Sequence, residues 1–516
     1  MTAPFAPPGS NVAPASAPAG TSTTTGGAAV GAAADQVLAI ARELVGAAPN
    51  QGIRDQAQAV VDRLSGPLQV AIAGRVKAGK STLLNALVGE RLAPTDAGEC
   101  TKIVSRYRRG NGYEVVAKMR DGRAESLAFS RAGGSLDIKL GSLIERDIET
   151  IEVSWPTSAL ETITLIDTPG LASINDENSR RTRDFLEADA DRPSDADAVV
   201  YLIRHAHRAD IAFLDAFMDR SVTAASPVNA VAVLSRADEI GAGRLDAMES
   251  SARIAKRYEV DPQLRGLCAA VVPLAGLLAE TGLTLREDEV ATLRMLASTD
   301  AETLEKMLMS ADLFCELSSS ELTVESRRDL LARFGLFGIR LVLEELRAGR
   351  GTTASSLGPI LVQHSGLTAL RALISQHFAP RARVLQARSG LTALRAIARS
   401  LKAIDSTMAA DVERRVEQVE ATTVQFAQVR AAHLVGSGVV SFSDGERSEL
   451  DRLFSGHDGA TSLGLVSSAS TAQVQAAALA GISRWRTLAS DPLADPTFIE
   501  VCEVATRTLE QIYSTA

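Results

Sequence analysis

Several common ingredients are scarce in this chain. Only four cysteines, Cys100, Cys268, Cys315 and Cys502, are spread over 516 residues, with no C-x-x-C spacing. That excludes a cysteine zinc site and a redox pair, and the four read as reduced thiols of a cytosolic protein. No stretch approaches the roughly 20 consecutive apolar residues that span a bilayer, so any membrane contact is expected to be peripheral, at the inner face of the cell membrane. Basic surplus is missing too: the net charge is -9, which argues against a general nucleic-acid-binding surface and against bulk attraction to anionic lipid, leaving room only for local basic patches. Met1 to Ala34, rich in Ala, Pro, Gly, Ser and Thr, has no basic start followed by an apolar core; it reads as a disordered tail, not a signal peptide.

What is present is specific. Gly74-Arg75-Val76-Lys77-Ala78-Gly79-Lys80-Ser81 matches G-x-x-x-x-G-K-[ST], follows the apolar run Leu68 to Ala73 and opens the helical pattern beginning at Thr82. Such a turn points backbone N–H groups inward and adds the positive end of a helix. It makes a phosphate cradle in which Lys80 reaches the β- and γ-phosphates and Ser81 ligates Mg²⁺. A second apolar strand, Thr162 to Ile166, ends in Asp167-Thr168-Pro169-Gly170, the D-x-x-G arrangement of GTPases. Asp167 is expected to hold Mg²⁺ through water, and the Gly170 N–H to meet the γ-phosphate at a distance only glycine permits.

A third strand, Ala230 to Leu234, runs into Ser235-Arg236-Ala237-Asp238, where GTPases carry [NT]-K-x-D. The Asp238 carboxylate can accept from both N1–H and the 2-amino group of guanine, and Arg236, in place of lysine, can stack on the base. Ala269 to Pro273 leads to Leu274-Ala275-Gly276, which suits the last base-contacting loop. Between the first two motifs, Thr101 is the expected switch threonine, ligating Mg²⁺ by its hydroxyl and the γ-phosphate by its N–H, with Thr95 as the competitor. His205 and His207 follow the strand-like Asp197 to Ile203 on the same side and read as ordinary loop histidines.

These motifs, with Gly-Lys-Ser-Thr-Leu-Leu-Asn-Ala-Leu-Val-Gly at 79–89 and a long helical C-terminal half, resemble bacterial dynamin-like GTPases, in particular the isoniazid-inducible group of mycobacteria. The resemblance implies an α/β P-loop GTPase domain with a doubly wound, mostly parallel sheet, and an all-α helical neck and stalk. It further implies GTP binding and hydrolysis with Mg²⁺, GTP-dependent association and membrane remodelling or repair. Dynamins carry Gln-Ser where this chain has Val76-Lys77, and the resemblance implies that the glutamine positions the attacking water. Val76 cannot do so. Lys77 either places its ammonium near the β–γ bridging oxygen or points to solvent, in which case hydrolysis is slow or needs a partner. The candidate site is therefore Gly74, Gly79, Lys80, Ser81, Thr82, Asp167, Gly170, Arg236 and Asp238 for nucleotide, with Ser81, Thr101 and Asp167 for Mg²⁺ and Lys80, Thr101 and Lys77 for catalysis. Alternatives are a slow or non-hydrolysing GTP switch that pairs with another dynamin-like protein and, further off, a ribosome-assembly GTPase, which the acidic balance disfavours.

The expected layout is a tail at 1–34, two helices at 35–65 that join the neck or pack on the GTPase domain, the GTPase domain at 66–280, a helical junction at 281–350 and a helical stalk at 351–516. Leu391, Leu394, Ile397, Leu401, Ile404, Met408, Val412, Val416 and Val419 recur at spacings of three and four and predict one long amphipathic helix. Trp485 is expected in a core. The glycine-punctuated link Leu434 to Phe442 either inserts shallowly into lipid from the tip of the helical domain or folds back into it.

Overall fold

The computed structural model describes residues 25–93, 103–132, 135–169, 196–204, 229–261, 267–317, 322–378, 381–436, 438–454 and 459–516, together with residues 210, 211, 214 and 264. Thr95, Thr101, Gly170, His205 and His207 lie outside them. Eleven strands are described: β1 Leu68–Gly74, β2 Val104–Arg109, β3 Glu114–Met119, β4 Ala124–Ser126, β5 Ala128–Ala132, β6 Ser135–Lys139, β7 Ile148–Trp155, β8 Ile163–Asp167, β9 Ala198–Ile203, β10 Ala230–Ser235 and β11 Val271–Leu274. Nine form one sheet in the order β11-β10-β9-β1-β8-β2-β7-β3-β4, and β5 and β6 pair as a separate antiparallel hairpin. From β11 to β8 every neighbour is parallel; antiparallel pairing enters where β2 meets β8 and where β3 meets β7 and β4. The sheet is thus mixed and mostly parallel.

The parallel half is apolar on both faces because both are covered. Along β1, Leu68, Val70 and Ile72 join one core while Ala71 and Ala73 join another on the opposite face, and the same alternation separates Val231 and Val233 from Ala230, Ala232 and Leu234. The period of two does the sorting. The first face is closed by helix α3, Lys80–Val88, and also by Leu367, Leu370, Ile374, Phe378 and Leu385. These last residues belong to the stretch 351–516 expected as stalk: the sheet face beside α3 needs a cover, and the chain returns to supply it.

Helices α1, Thr25–Ala47, and α2, Gln51–Ser65, share a core with the helices Ala382–Leu401 and Ser406–Thr422. Helix α1 starts inside the segment expected to be a disordered tail, where the alanine-rich run 28–34 has high helical propensity and Ala33 and Ala34 are buried. The single long helix predicted through 391–419 is instead two. Asp405 takes an extended conformation (φ -146°, ψ 95°) and its side chain accepts the Met408 N–H at 2.9 Å, capping a new helix. The apolar stripe is folded on itself, with Leu391, Leu394, Ile397 and Leu401 in one core with Val412, Val416 and Val419, and Ile404 left exposed at the turn.

A further helical core unites Val424–Gly436, Asp444–Leu453, Thr471–Ala489 and Pro496–Thr515, with Trp485 buried at its centre and its indole N–H donating to Glu449 at 3.0 Å. The Leu434 to Phe442 link takes the folded-back arrangement. Val435 and Val440 are buried, the Val440 N–H bonds to the Leu434 carbonyl at 3.2 Å, and the Phe442 ring stacks on Phe498 with centroids 4.7 Å apart. Only Val439 of its apolar side chains is largely exposed, at 62%. Among the described residues no helix is long and apolar enough to cross a membrane.

Candidate functional site

In parallel α/β sheets ligands bind beyond the carboxyl ends of the strands, where the chain diverges to opposite sides. Here β1 is that strand, paired with β8 on one side and β9 on the other. The ends of β1, β8, β10 and β11 carry the predicted motifs. Register confirms their adjacency: Ile72 lies opposite Asp167, Gly74 opposite Leu202, and Ser235 opposite Leu274.

The turn after β1 is shaped by backbone demands. Gly74 has φ 147°, and a Cβ there would stand 2.7 Å from the Leu202 carbonyl oxygen, so no other residue fits. Gly79, at φ 95°, is the N-cap of α3, and its carbonyl accepts the Leu83 N–H at 2.9 Å. Lys77 is also left-handed, at φ 63°, and its side chain is exposed. Val76 is exposed too, at 51%.

Lys80 is buried and donates to the carbonyls of Gly74 at 3.3 Å and Arg75 at 3.4 Å, which bends its ammonium back over the loop. Burial lowers its pKa, and the Asp167 carboxylate opposes that shift. Ser81 donates its hydroxyl to Asp167 Oδ2 at 3.0 Å, while Asp167 Oδ1 is buried with no hydrogen-bond partner among the described residues. Desolvation raises the Asp167 pKa against the pull of Lys80 and Ser81. A hydroxyl and a carboxylate oxygen side by side, one oxygen left unmatched, is an oxygen donor set of the kind Mg²⁺ takes when substrate phosphates and water complete its shell. The residues therefore fit the ion. Thr168 is anchored on the Ile72 carbonyl at 2.9 Å, which ties the D-x-x-G turn to β1.

On the other side of the loop Arg236 is left-handed at φ 54° and donates to the Lys77 carbonyl at 3.1 Å and to Glu239 at 2.6 Å. Arg204, at the end of β9, pairs with the same Glu239. The base side and the phosphate loop are thereby bonded directly. Asp238 is buried in a short 3₁₀ turn, Ala237–Glu239, and desolvation pushes its pKa up to about 6, with Glu239 adding to the shift and Arg236 opposing it. Gly276 opens the helix after β11; a Cβ there would lie 3.8 Å from Thr82 Cγ2, which brings the last loop against α3.

Some neighbours of the site carry no motif. Arg371, from the helix Leu367–Leu373, donates to the carbonyls of Ala86 and Leu87 at 2.8 and 3.1 Å, closing the far end of α3. Gly335 and Arg340, in the long kinked helix Val324–Arg347, lie against the loop that follows Asp238. No local pattern marks them in the sequence, since their partners are distant along the chain.

Comparison with known proteins agrees with this geometry. The sequence model of the Dynamin family matches residues 70–221. Isoniazid-induced protein IniC of Mycobacterium tuberculosis (strain H37Rv) is 38% identical over 452 residues, 87% of this chain and 90% of that protein. The chain belongs to the dynamin family. A bacterial dynamin-like protein of Nostoc punctiforme is 31% identical over 126 residues, 22% of this chain and 18% of that protein. A solved structure of an oligomerised bacterial dynamin pair aligns over 82% of this chain and 78% of that one at 14% identity and a TM-score of 0.30, a likeness too slight to bear on function. For this dynamin-family chain, the GTPase fold expected from the sequence stands.

Proposed function

We propose that this dynamin-family protein binds GTP with Mg²⁺ and hydrolyses it to GDP and phosphate. The observation that carries the reading is the Ser81 hydroxyl 3.0 Å from Asp167 Oδ2, with Oδ1 unmatched among the described residues and the buried Lys80 ammonium close enough to act on the same carboxylate. When bound, Mg²⁺ supplies charge neutralisation at the phosphate oxygens. Ser81 and Thr101 would ligate it through their hydroxyls, and Asp167 would hold it through water. Lys80 moves from its two loop carbonyls to the β- and γ-phosphates, an exchange of weak neutral acceptors for charged ones. Gly74, Gly79 and Thr82 shape the cradle, and Gly170 meets the γ-phosphate. Arg236 stacks on the base while its head braces the Lys77 carbonyl, and Asp238 selects guanine.

The GTPase cycle is proposed to serve membrane remodelling or repair at the inner face of the cell membrane; this part rests on family membership. The proposed organisation is a GTPase domain at 66–280 followed by a helical junction and stalk, with contact to lipid or to another dynamin-like protein made by the helical part. A second reading, a slow or non-hydrolysing switch that works with such a partner, is favoured by one feature: Val76 offers an exposed apolar side chain at the position where dynamins orient water. GTP turnover by the full chain with Mg²⁺, with and without liposomes and against Lys80→Ala, tests both. Lys80-dependent turnover that rises with lipid supports the first; tight GTP binding without turnover supports the second.

A further inference from the structure

The loop that follows Asp238 is held in a demanding shape. Gly241, Ala242 and Gly243 all have positive φ, at 65°, 60° and 67°, and Ala242 adopts it without the freedom of glycine. Such a run persists only when its surroundings enforce it. The enforcement comes from the long kinked helix Val324–Arg347.

That helix breaks at Gly335 (φ 61°, ψ 174°), a backbone region open essentially to glycine alone. The break is buttressed: the Thr281 hydroxyl donates to the Arg333 carbonyl, and the Arg333 guanidinium pairs with Glu289 at 2.7 Å. After the break the helix lies against the loop, with a Gly243 Cβ placed 3.1 Å from the Phe337 nitrogen and 3.2 Å from Leu336 Cβ. Arg340 then donates to the carbonyls of Ala242, at 2.9 Å, and Gly243, and to that of Leu308. Gly335 itself faces the functional carboxylate: a Cβ there would stand 3.5 Å from Asp238 Oδ2.

We propose that Arg340 and the Gly335 break are positioning residues for guanine recognition, setting the loop behind Asp238 so that discrimination of the base's 2-amino group depends on a helix 97 to 98 positions further along the chain. The inference rests on the reading of Asp238 as the base-contacting carboxylate. Neither residue touches nucleotide. Arg340 fixes two carbonyls of the loop with one planar head, and Gly335 supplies the glycine-only backbone turn that brings the helix to van der Waals distance of Oδ2.

The test compares GDP with IDP, which keeps N1–H and lacks the 2-amino group, by calorimetric titration of the full chain with Mg²⁺. A charge-assisted hydrogen bond to the 2-amino group predicts a GDP preference of about 10- to 100-fold in the parent. Arg340→Ala is expected to cut that ratio at least about fivefold, with Arg340→Lys recovering part of it because an ammonium still donates but lacks the fork. Inorganic tripolyphosphate, which has no base, should bind Arg340→Ala and parent alike. Gly335→Ala provides an independent arm, expected to lower the ratio through the backbone shift that a non-glycine residue forces there, and Arg340→Gln, which keeps most of the stem and loses the charge, serves if Arg340→Ala does not fold. GDP and IDP affinities that fall together, with the ratio unchanged in the folded variants, would overturn the proposal. A parent with no preference for GDP over IDP would sink the Asp238 reading and the proposal with it.

Discussion

The two edges of the sheet handle their polar groups in opposite ways. At the amino edge of β1 and β9, Asp197 is fully enclosed, yet both of its oxygens are matched: Oδ1 accepts from Arg63 of α2 at 2.7 and 3.0 Å, and Oδ2 accepts the Gln69 N–H at 2.9 Å. At the carboxyl edge, Asp167 keeps an unmatched oxygen, Lys80 is buried against neutral carbonyls, Lys77 and Arg236 are left-handed, and Asp238 sits in a pocket that raises its pKa. A buried carboxylate whose oxygens are both matched, like Asp197, holds the fold together, whereas one with an oxygen left over beside a hydroxyl and a lysine, like Asp167, can take a ligand. One edge is built for stability and the other for binding.

That contrast can be broken by substitution. Lys80→Ala should reduce GTP turnover on the order of 10³-fold, the scale of losing a preorganised charge at the phosphates, with the fold intact by circular dichroism; near-parental turnover would remove the carboxyl edge from the chemistry. Asp197→Ala should do the reverse, lowering unfolding stability by about 1–3 kcal/mol by removing the acceptor of the half-buried Arg63 guanidinium and of the Gln69 N–H, with GDP affinity in the folded protein little changed. Chemical denaturation reads the first and titration the second, and a stability loss under about 1 kcal/mol would mean that the amino edge is not the clamp it looks to be.

Acid should act through Asp238. In the proposed function the Asp238 carboxylate accepts from guanine, and burial pushes its pKa up to about 6 against an ordinary 3.8. GDP affinity should therefore be full above about pH 7 and fall by about tenfold per unit below about 6, a slope that Asp238→Asn abolishes. For the free protein the sign is opposite: the raised pKa makes the buried carboxylate a destabilising charge above about 6, a penalty that fades as pH falls toward 3.8. The smallest effect belongs to Lys77→Gly. Relief of the left-handed strain should add about 0.5–1 kcal/mol of stability, while GDP affinity stays within about threefold because the structure uses the Lys77 carbonyl rather than its side chain. A large loss of affinity would show that the ammonium reaches the nucleotide after all.

What the sequence made legible follows the length of the contacts. The phosphate loop, the D-x-x-G strand and the Asp238 strand were readable because each is a short apolar run with period two that ends in a few chemically constrained residues; β1, β8 and β10 begin and end within a residue of expectation. Asp405 was not read as a boundary because the apolar stripe continues through it, and periodicity cannot distinguish a straight helix from a folded one; the Asp-Ser pair at 405–406 was the available signal. Gly335, Arg340 and Arg371 were invisible, for each acts on a segment 97 or more residues away through a backbone carbonyl or a close approach, and carbonyls leave no mark in a sequence.

The four-helix core built by α1, α2 and the pair that follows Arg381 has a consequence for how the molecule is made. Arg383 reaches back to Asp35 and to the Leu64 carbonyl, across 348 and 319 positions, and Gly390 is glycine where a Cβ would strike Val37 at 2.7 Å. Helices α1 and α2 can pack on each other as they leave the ribosome, but the helix that carries Arg383 and completes their core follows only 319 positions after Leu64, a wait of roughly 20 to 70 s at about 5–20 residues per second. During that interval the apolar faces of α1 and α2 stay partly open to water or a chaperone, while the GTPase sheet assembles behind them. Completion of this helical core thus follows that of the GTPase sheet, and a chain cut between Leu385 and Leu401 would carry the cover of the sheet while leaving the apolar faces of α1 and α2 partly bare.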